Sequence, residues 1–217
     1  MNKRDSYIIF DLDGTLLDTS NRQYKLYIQL YEELISTDAK PLSRGQFWTM
    51  KRSGYSTVEL LPREIGSSVR QEFLELWKER IESTEYLRYD SVFDGVTETL
   101  CYLRKNDYKL FLLTRRSDSD NLRWELDEVG ISRYFLDTYI VSHEGPPKDA
   151  VINEQLGELT PADFVVGDTA DDLEAGNRLG ATTIAVNTGI RNKERQTAAN
   201  PDLMLESVND IREESII

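Results

Sequence analysis

Five short runs rich in branched and aromatic residues recur along the chain. They are "YIIF" before Asp11, "KLFLLT" ending at Thr114, "YIVS" ending at Ser142, "FVVG" before Asp168 and "TTIAV" before Asn187. Each ends at a polar residue and is followed by a helix-like stretch, a pattern that reads as strand then helix. The helical stretches include "DGVTETLCYLRKND", "DNLRWELDEVG", a segment starting near Pro146, and "TADDLEAGNRLG". Strands alternating with helices imply right-handed crossovers, hence an α/β fold with a Rossmann-like parallel sheet flanked by helices.

One interval breaks the alternation. From about Ser20 to Tyr89 only amphipathic helical patterns occur: "NRQYKLYIQLYEELIS", "STVELLPREI" and "SVRQEFLELWKERIES". A helical insertion placed directly after the first strand overhangs the carboxyl end of the sheet, where open α/β folds bind ligands. The expected division is a core of residues 1–17 and 90–217 with a helical cap at 18–89. A chain of 217 residues is long enough for both. Trp48 and Trp77 are expected to pack within the cap, and Trp124 on a core helix. "TMKRSGYS" reads either as a substrate-reading loop carrying Lys51 and Arg52 or as an ordinary connection.

Charge narrows the function. Thirty-nine acids against 26 bases give a formal net charge of -13, a field that repels a phosphate backbone and disfavours nucleic acid as a partner. No stretch approaches the roughly 20 apolar residues of a membrane span, and "MNKRDSY" has no signal-peptide core. The single Cys101 sits in an apolar rhythm that suggests a buried thiol in a reducing compartment. Both point to a cytoplasmic location.

The carboxyl ends of the strands collect the chemistry. The first run delivers Asp11 and Asp13, the second Thr114, and the fourth Asp168 with Asp171 and Asp172 close behind, while Lys148 lies beyond the third. Residues two apart in an extended segment face one side, so Asp11 and Asp13 can share a crevice, and an adjacent strand would bring Asp168 there. Two carboxylates at 4 Å repel by about 4 kcal/mol at an effective dielectric of 20. Mg²⁺ would offset this, with Lys148 and the Thr114 hydroxyl complementing phosphate oxygens. Each residue also has a plainer reading. Asp-Gly is a turn signal, the acids near Asp168 and Thr114 can cap helices, Lys148 can lie in solvent, and His143 suits the surface. Their joint occurrence at successive strand ends favours a site.

In "FDLDGTLLDT", "LLTR", "GPPKDA" and "VVGDTADDLEAG" the chain resembles, in order, the four motifs of the haloacid dehalogenase-like (HAD) superfamily. The resemblance covers the whole core and implies an HAD-like fold with an inserted helical cap, similar to the phosphoglycolate phosphatase branch. It further implies that Asp11 is the nucleophile and that Asp13 moves protons while its backbone carbonyl binds Mg²⁺. Asp11 and Asp168 would be direct metal ligands with Asp172 nearby, Asp171 being the competing neighbour. Thr114 and Lys148 would hold the phosphoryl group. An acid at position 13 favours phosphoryl transfer over dehalogenation.

Three positions depart from the motifs. Prolines precede Lys148 rather than follow it, "VFDGV" lacks the usual proline, and Arg115 with Arg116 follow Thr114. Arg115 is left between binding a second anionic group of the substrate and lying in solvent; Arg116 is assigned to solvent. The expected function is a Mg²⁺-dependent phosphatase of a small phosphorylated metabolite. Its rivals are a phosphomutase of the β-phosphoglucomutase type and a non-catalytic binding protein. A receiver domain fits less well, because there the lysine follows the last acid.

Overall fold

The computed structural model describes residues 6–35, 40–190 and 193–214. In chain order the elements are β1 (Tyr7–Phe10), β2 (Leu17–Asp18), α1 (Ser20–Leu34), α2 (Arg44–Arg52), α3 (Ser67–Arg80), α4 (Thr84–Leu87), β3 (Ser91–Val92), α5 (Val96–Lys105), β4 (Lys109–Arg115), α6 (Ser119–Glu128), β5 (Asp137–Val141), α7 (Lys148–Leu156), β6 (Phe164–Gly167), α8 (Ala170–Leu179), β7 (Thr182–Val186), α9 (Lys193–Thr197), β8 (Leu203–Leu205) and α10 (Asp210–Glu213). Six strands form one sheet in the order β5-β4-β1-β6-β7-β8, with every pairing parallel. The chain leaves β1 toward β4 and β5 on one side, then returns to β6 on the other. The order therefore reverses at β1, and the carboxyl end of that strand opens into a crevice.

Strand alternation builds a core on each face of this sheet. Ile8, Phe10, Leu110, Leu112 and Val166 point to the face covered by Val96, Leu100 and Leu103 of α5 and Leu122 of α6. Ile9, Phe111, Leu113 and Val165 point to the other, covered by Ile152 of α7 and Ala175 of α8. Burial on both faces explains why these strands read as continuous apolar runs. The sixth strand, β8, was not among the expected ones: "LML" is only three residues long and follows a proline. Cys101 is half-buried rather than buried, on the outer side of α5.

Between β2 and β3 the chain makes its helical excursion. Its helices form a separate cluster around Leu26, Tyr27, Leu30, Phe47, Phe73 and Tyr86, with Trp48 and Trp77 packed against it, as their positions suggested. Ring contacts link Tyr27 to Phe47 at 4.9 Å and to Phe73 at 6.4 Å. "STVELLPREI" makes only a single 3-10 turn at Thr57–Leu60, because Pro62 and Gly66 end the pattern before a helix can extend. "TMKRSGYS" is not a loop throughout: its first four residues are the last turns of α2, started by the Ser43 and Gln46 capping box. The last residue of the first helical pattern, 36, and the first five of the chain lie outside the described residues.

The two chain crossings pair with each other, Leu17 against Val92 and Asp18 against Ser91. Two further contacts fix the helices over the sheet. Arg52 donates to the Asn187 side chain at 2.7 Å. Glu82 accepts from the backbone N–H groups of Ser117 and Asp118, at 2.8 and 2.9 Å, beside the start of α6. Among the described residues no helix is long and apolar enough to cross a membrane.

Phe47 is fully buried at the centre of the helical cluster. Phe47→Ala is expected to lower unfolding free energy by about 3–5 kcal/mol in urea titrations. A loss below about 1 kcal/mol would show that the aromatic cluster does not hold these helices together.

Candidate active site

The turn after β1 uses its aspartates for two different purposes. Asp11 continues the strand, its backbone N–H bonding to the Val166 carbonyl at 2.9 Å, and its side chain is buried. Asp13 begins a turn in which Gly14 adopts φ +84°, a conformation glycine reaches without strain. The turn reading of "DLDG" therefore holds at Asp13 and Gly14, while Asp11 stays on the strand.

Asp11, Asp168 and Asp172 come together. Each offers a carboxylate oxygen within 4.8 Å of the others, and all three are buried. Asp172 lies in the first turn of α8, where its Oδ2 accepts from the backbone N–H and hydroxyl of Thr169, at 3.2 and 2.6 Å. Its Oδ1 accepts from Lys148 Nζ at 2.5 Å. So the helix-capping reading also holds, and the same carboxylate serves the cluster with its other oxygen. Asp171 is the outer neighbour, paired with Arg115 at 2.7 Å.

Lys148 opens α7, preceded by Pro147 in extended conformation, and its ammonium reaches Asp11 Oδ1 at 2.6 Å and the Leu113 carbonyl at 3.1 Å. It is not solvated: only 4% of it is exposed. Thr114 is buried near the end of β4, one residue before the strand's last.

A backbone N–H and the Gln196 side chain confine Asp168. Its Oδ2 accepts from Ile190 N–H at 2.6 Å, and Gln196 holds its carbonyl at 2.9 Å and that of Val186 at 2.7 Å. A Cβ at Gly189 would lie 2.0 Å from Asp168 Oδ2, and one at Gly14 would lie 2.7 Å from the Gly189 Cα. Glycine at both positions is what lets two loops close around this carboxylate. Nothing in "NTGI" or "KERQT" marks them in isolation, although a glycine following a fifth strand end was visible.

The electrostatics of the three acids follow from their burial and mutual repulsion. Burial and then the Asp172 charge push the Asp11 carboxyl up to about 7 against the pull of Lys148. Burial and the charges of Asp11 and Asp172 raise Asp168 well above the ordinary range. Lys148 moves the other way: burial lowers it, but Asp11 and Asp172 outweigh that and raise it. Asp168 Oδ1 is buried without any hydrogen-bond donor, a costly state for a carboxylate oxygen. A hard divalent cation fits this donor set of carboxylate oxygens.

Asp13 stands apart from that trio, contrary to the expected convergence of Asp11, Asp13 and Asp168. Its Oδ1 takes Arg116 Nη2 at 2.7 Å and Arg22 Nη2 at 3.2 Å. Burial pushes its carboxyl upward, but Arg116 and Arg22 outweigh it and hold it below the usual range. Arg116 is therefore not in solvent. It is 3% exposed and also pairs with Glu125 at 3.0 Å. Its neighbour in the chain points to the other side of the strand, where Arg115 donates to Asp171 and to the Ser142 and Pro146 carbonyls, bracing the segment that leads to Lys148. Arg22, Glu125 and Asp90 were not among the expected site residues, since each is one ordinary charge in a helical or linker pattern.

Beside Asp13 lies a crevice between the helical excursion and the sheet. A pocket of about 170 Å³ is lined by Asp13, Arg22, Arg116, Lys51 and Trp77. A cavity of about 740 Å³ shares Lys51, Trp77, Ile81, Glu82 and His143 with it and extends past Val58 and Leu74. Lys51 is buried in the last turn of α2 and donates to Thr57 Oγ1 at 3.1 Å. His143 is exposed beside Glu82, consistent with a surface position.

The comparisons agree with this architecture. Residues 8–186 match the family model of the haloacid dehalogenase-like hydrolases, and the chain belongs to that family. It is similar to the pyrophosphatase PpaX of Bacillus velezensis, 28% identical over 97% of this chain and 96% of that protein. Among solved structures, a haloacid dehalogenase-like hydrolase of Streptococcus pneumoniae aligns with a TM-score of 0.74 at 21% identity, covering 97% of this chain and 98% of the other. A Thermotoga maritima structure provisionally assigned as a β-phosphoglucomutase aligns at 0.69 and 20% identity, over 98% and 100%.

The raised Asp11 carboxyl sets a pH test. An acid with a folded pKa of about 7 and an ordinary value of 3.8 binds more protons folded than unfolded between those limits, so the metal-free protein loses stability as pH rises through that window. Bound cation requires the deprotonated carboxylates and offsets the loss. The Tm increase given by Mg²⁺ is therefore expected to be larger at pH 8 than at pH 5. An increase of equal size at both would contradict it. In Gly189→Ala the displaced Asp168 should abolish the increase at either pH.

Proposed function

We propose that this protein is a Mg²⁺-dependent phosphatase that hydrolyses a small phosphorylated metabolite through an aspartyl-phosphate on Asp11. The observation that carries the reading is the meeting of Asp11, Asp168 and Asp172, two of them paired with the buried Lys148 ammonium, with a separate acid, Asp13, two residues from Asp11. Membership of the hydrolase family supports it, as does the likeness to a protein described as a pyrophosphatase.

Asp11 and Asp168 would hold the ion, with Asp172 beside them and the backbone carbonyl of Asp13 completing the protein's share. Bound there, the ion would neutralise charge on the phosphoryl oxygens. An Asp11 carboxylate oxygen bonds to phosphorus while the bond from phosphorus to the ester oxygen breaks, and Asp13, which must enter this step protonated although Arg116 and Arg22 lower its carboxyl, gives that oxygen its proton. Asp13 then takes a proton from water, the water oxygen bonds to phosphorus, and the bond to Asp11 breaks to release phosphate. Lys148 and Thr114 hold the phosphoryl oxygens through both displacements. Lys148 also keeps Asp11 oriented, and its charge favours the ionised nucleophile.

In this reading residues 18–89 form a cap, and the cavity of about 740 Å³ beneath it receives the leaving group. Arg115 serves the loop before Lys148 and not the substrate. The single cysteine suits a reducing cytoplasm. A mutase would use the same core but would need to retain its phosphoryl group against water.

Phosphorylated metabolites screened with and without Mg²⁺ should reveal hydrolysis that vanishes on chelation. Asp11→Asn should reduce it by at least about 10⁴-fold with an unchanged circular dichroism spectrum. Substantial turnover by that variant would refute the nucleophile, and a long-lived phospho-enzyme that transfers to a sugar phosphate would favour the mutase.

A further inference from the structure

The acids and bases around Asp13 form a closed arrangement that the reaction as described does not use. Arg116 bridges Asp13 Oδ1 and Glu125 Oε2, at 2.7 and 3.0 Å. Arg22 bridges Asp13 Oδ1 and Asp90 Oδ2, both at 3.2 Å, and its Nη1 reaches the Ile81 carbonyl at 3.5 Å. Asp90 and Glu125 then face each other. Asp90 Oδ2 meets Arg22 at ion-pair distance without a hydrogen bond, Asp90 Oδ1 and Glu125 Oε1 are also buried without a donor, and the two carboxyls can bond only if one holds a proton. Two guanidinium groups and three carboxyls thus close a ring, of which only Asp13 has appreciable access to solvent, its side chain being 31% exposed against 3% or less for the rest.

Removing four ionisable side chains from water is expensive, and replacing such groups by apolar ones is often neutral or stabilising. Stability alone is therefore a weak reason for the ring. Its geometry has a more specific consequence. Both arginines bind the same oxygen of Asp13, Oδ1, and among the described residues no donor is assigned to Oδ2. A carboxyl clamped by one oxygen presents the other in a fixed direction, and proton transfer depends on that direction. The five groups also come from five places: the turn after β1, helix α1, the segment before β3, the end of β4 and helix α6. Arg22 and Asp90 flank the two crossings between sheet and helical excursion, which pair through β2 and β3.

Resting on the phosphatase reading, we propose that Glu125 and Asp90 are positioning residues for proton transfer by Asp13, acting through Arg116 and Arg22, which fix Oδ1 and leave Oδ2 to carry the proton. The ring makes the setting of the acid depend on how the cap's two crossings sit on the core.

Leaving-group chemistry separates positioning from simple structural support. The departing group of p-nitrophenyl phosphate needs little help from an acid, whereas that of phenyl phosphate, of similar shape, needs more. Because kcat/KM reports formation of the phospho-enzyme, it reads the step in which the ester oxygen is protonated. With Mg²⁺ present, Glu125→Ala should lose about tenfold more kcat/KM on phenyl phosphate than on p-nitrophenyl phosphate. Glu125→Gln, which keeps an acceptor for Arg116, should restore most of the difference, and Asp90→Asn should resemble it. Glu125→Leu, which fills the buried space, should show the same selective loss and stands in if the alanine variant does not fold. Equal losses on both esters, or none on either, would overturn the positioning role. Wild-type inactivity on both would instead overturn the phosphatase reading on which it rests.

Discussion

Crowding of negative charge at the end of β1 is the constraint around which the rest of the molecule is arranged. Three buried carboxylates lie together, only Asp11 and Asp172 of them pair with the Lys148 ammonium, and among the described residues Asp168 Oδ1 has no donor. Such an arrangement is destabilising in a folded chain unless something else fixes it. The sheet does so by ordering β4, β1 and β6 side by side, so that residues far apart in sequence reach one point. The loops do so by bringing Gly14 and Gly189 within the space that any side chain would occupy. The cost falls where three carboxylates could hold a cation.

The second acid is handled in the opposite way. Asp13 is kept out of the crowded trio by two guanidinium groups, which outweigh its burial and lower its carboxyl below the usual range. One environment therefore raises Asp11 and the adjacent one lowers Asp13, although both sit on the same turn and differ by two positions. In the proposed reaction, different surroundings for neighbouring carboxyls would let one form a bond to phosphorus and the other move protons. The helical excursion takes part in this separation, since Arg22 belongs to its first helix and Asp90 lies where the chain returns to the sheet.

Much of this was legible in the chain itself. The apolar runs and their polar ends disclosed the sheet and the order in which Asp11, Thr114, Lys148 and Asp168 reach its rim, because strand periodicity and parallel topology are local and regular. The interruption from Ser20 to Tyr89 disclosed the helical insertion. What stayed hidden depends on pairing across distance. Arg116 reads as a surface cation beside Arg115, and only the packing of α6 against the end of β4 brings Glu125 to it. "DLMLES" is too short and too polar at its ends to announce β8. Choosing Asp172 over Asp171 requires the phase of α8, which turns one toward Lys148 and the other toward Arg115.

The central claim is that the Asp11 oxygen itself bonds to phosphorus. An acyl phosphate is reduced by borohydride to the alcohol, so enzyme quenched during turnover and treated with borohydride should carry homoserine at position 11, read by peptide mass spectrometry. Homoserine at another aspartate, or an unmodified Asp11 in enzyme that retains labelled phosphoryl groups, would contradict the account.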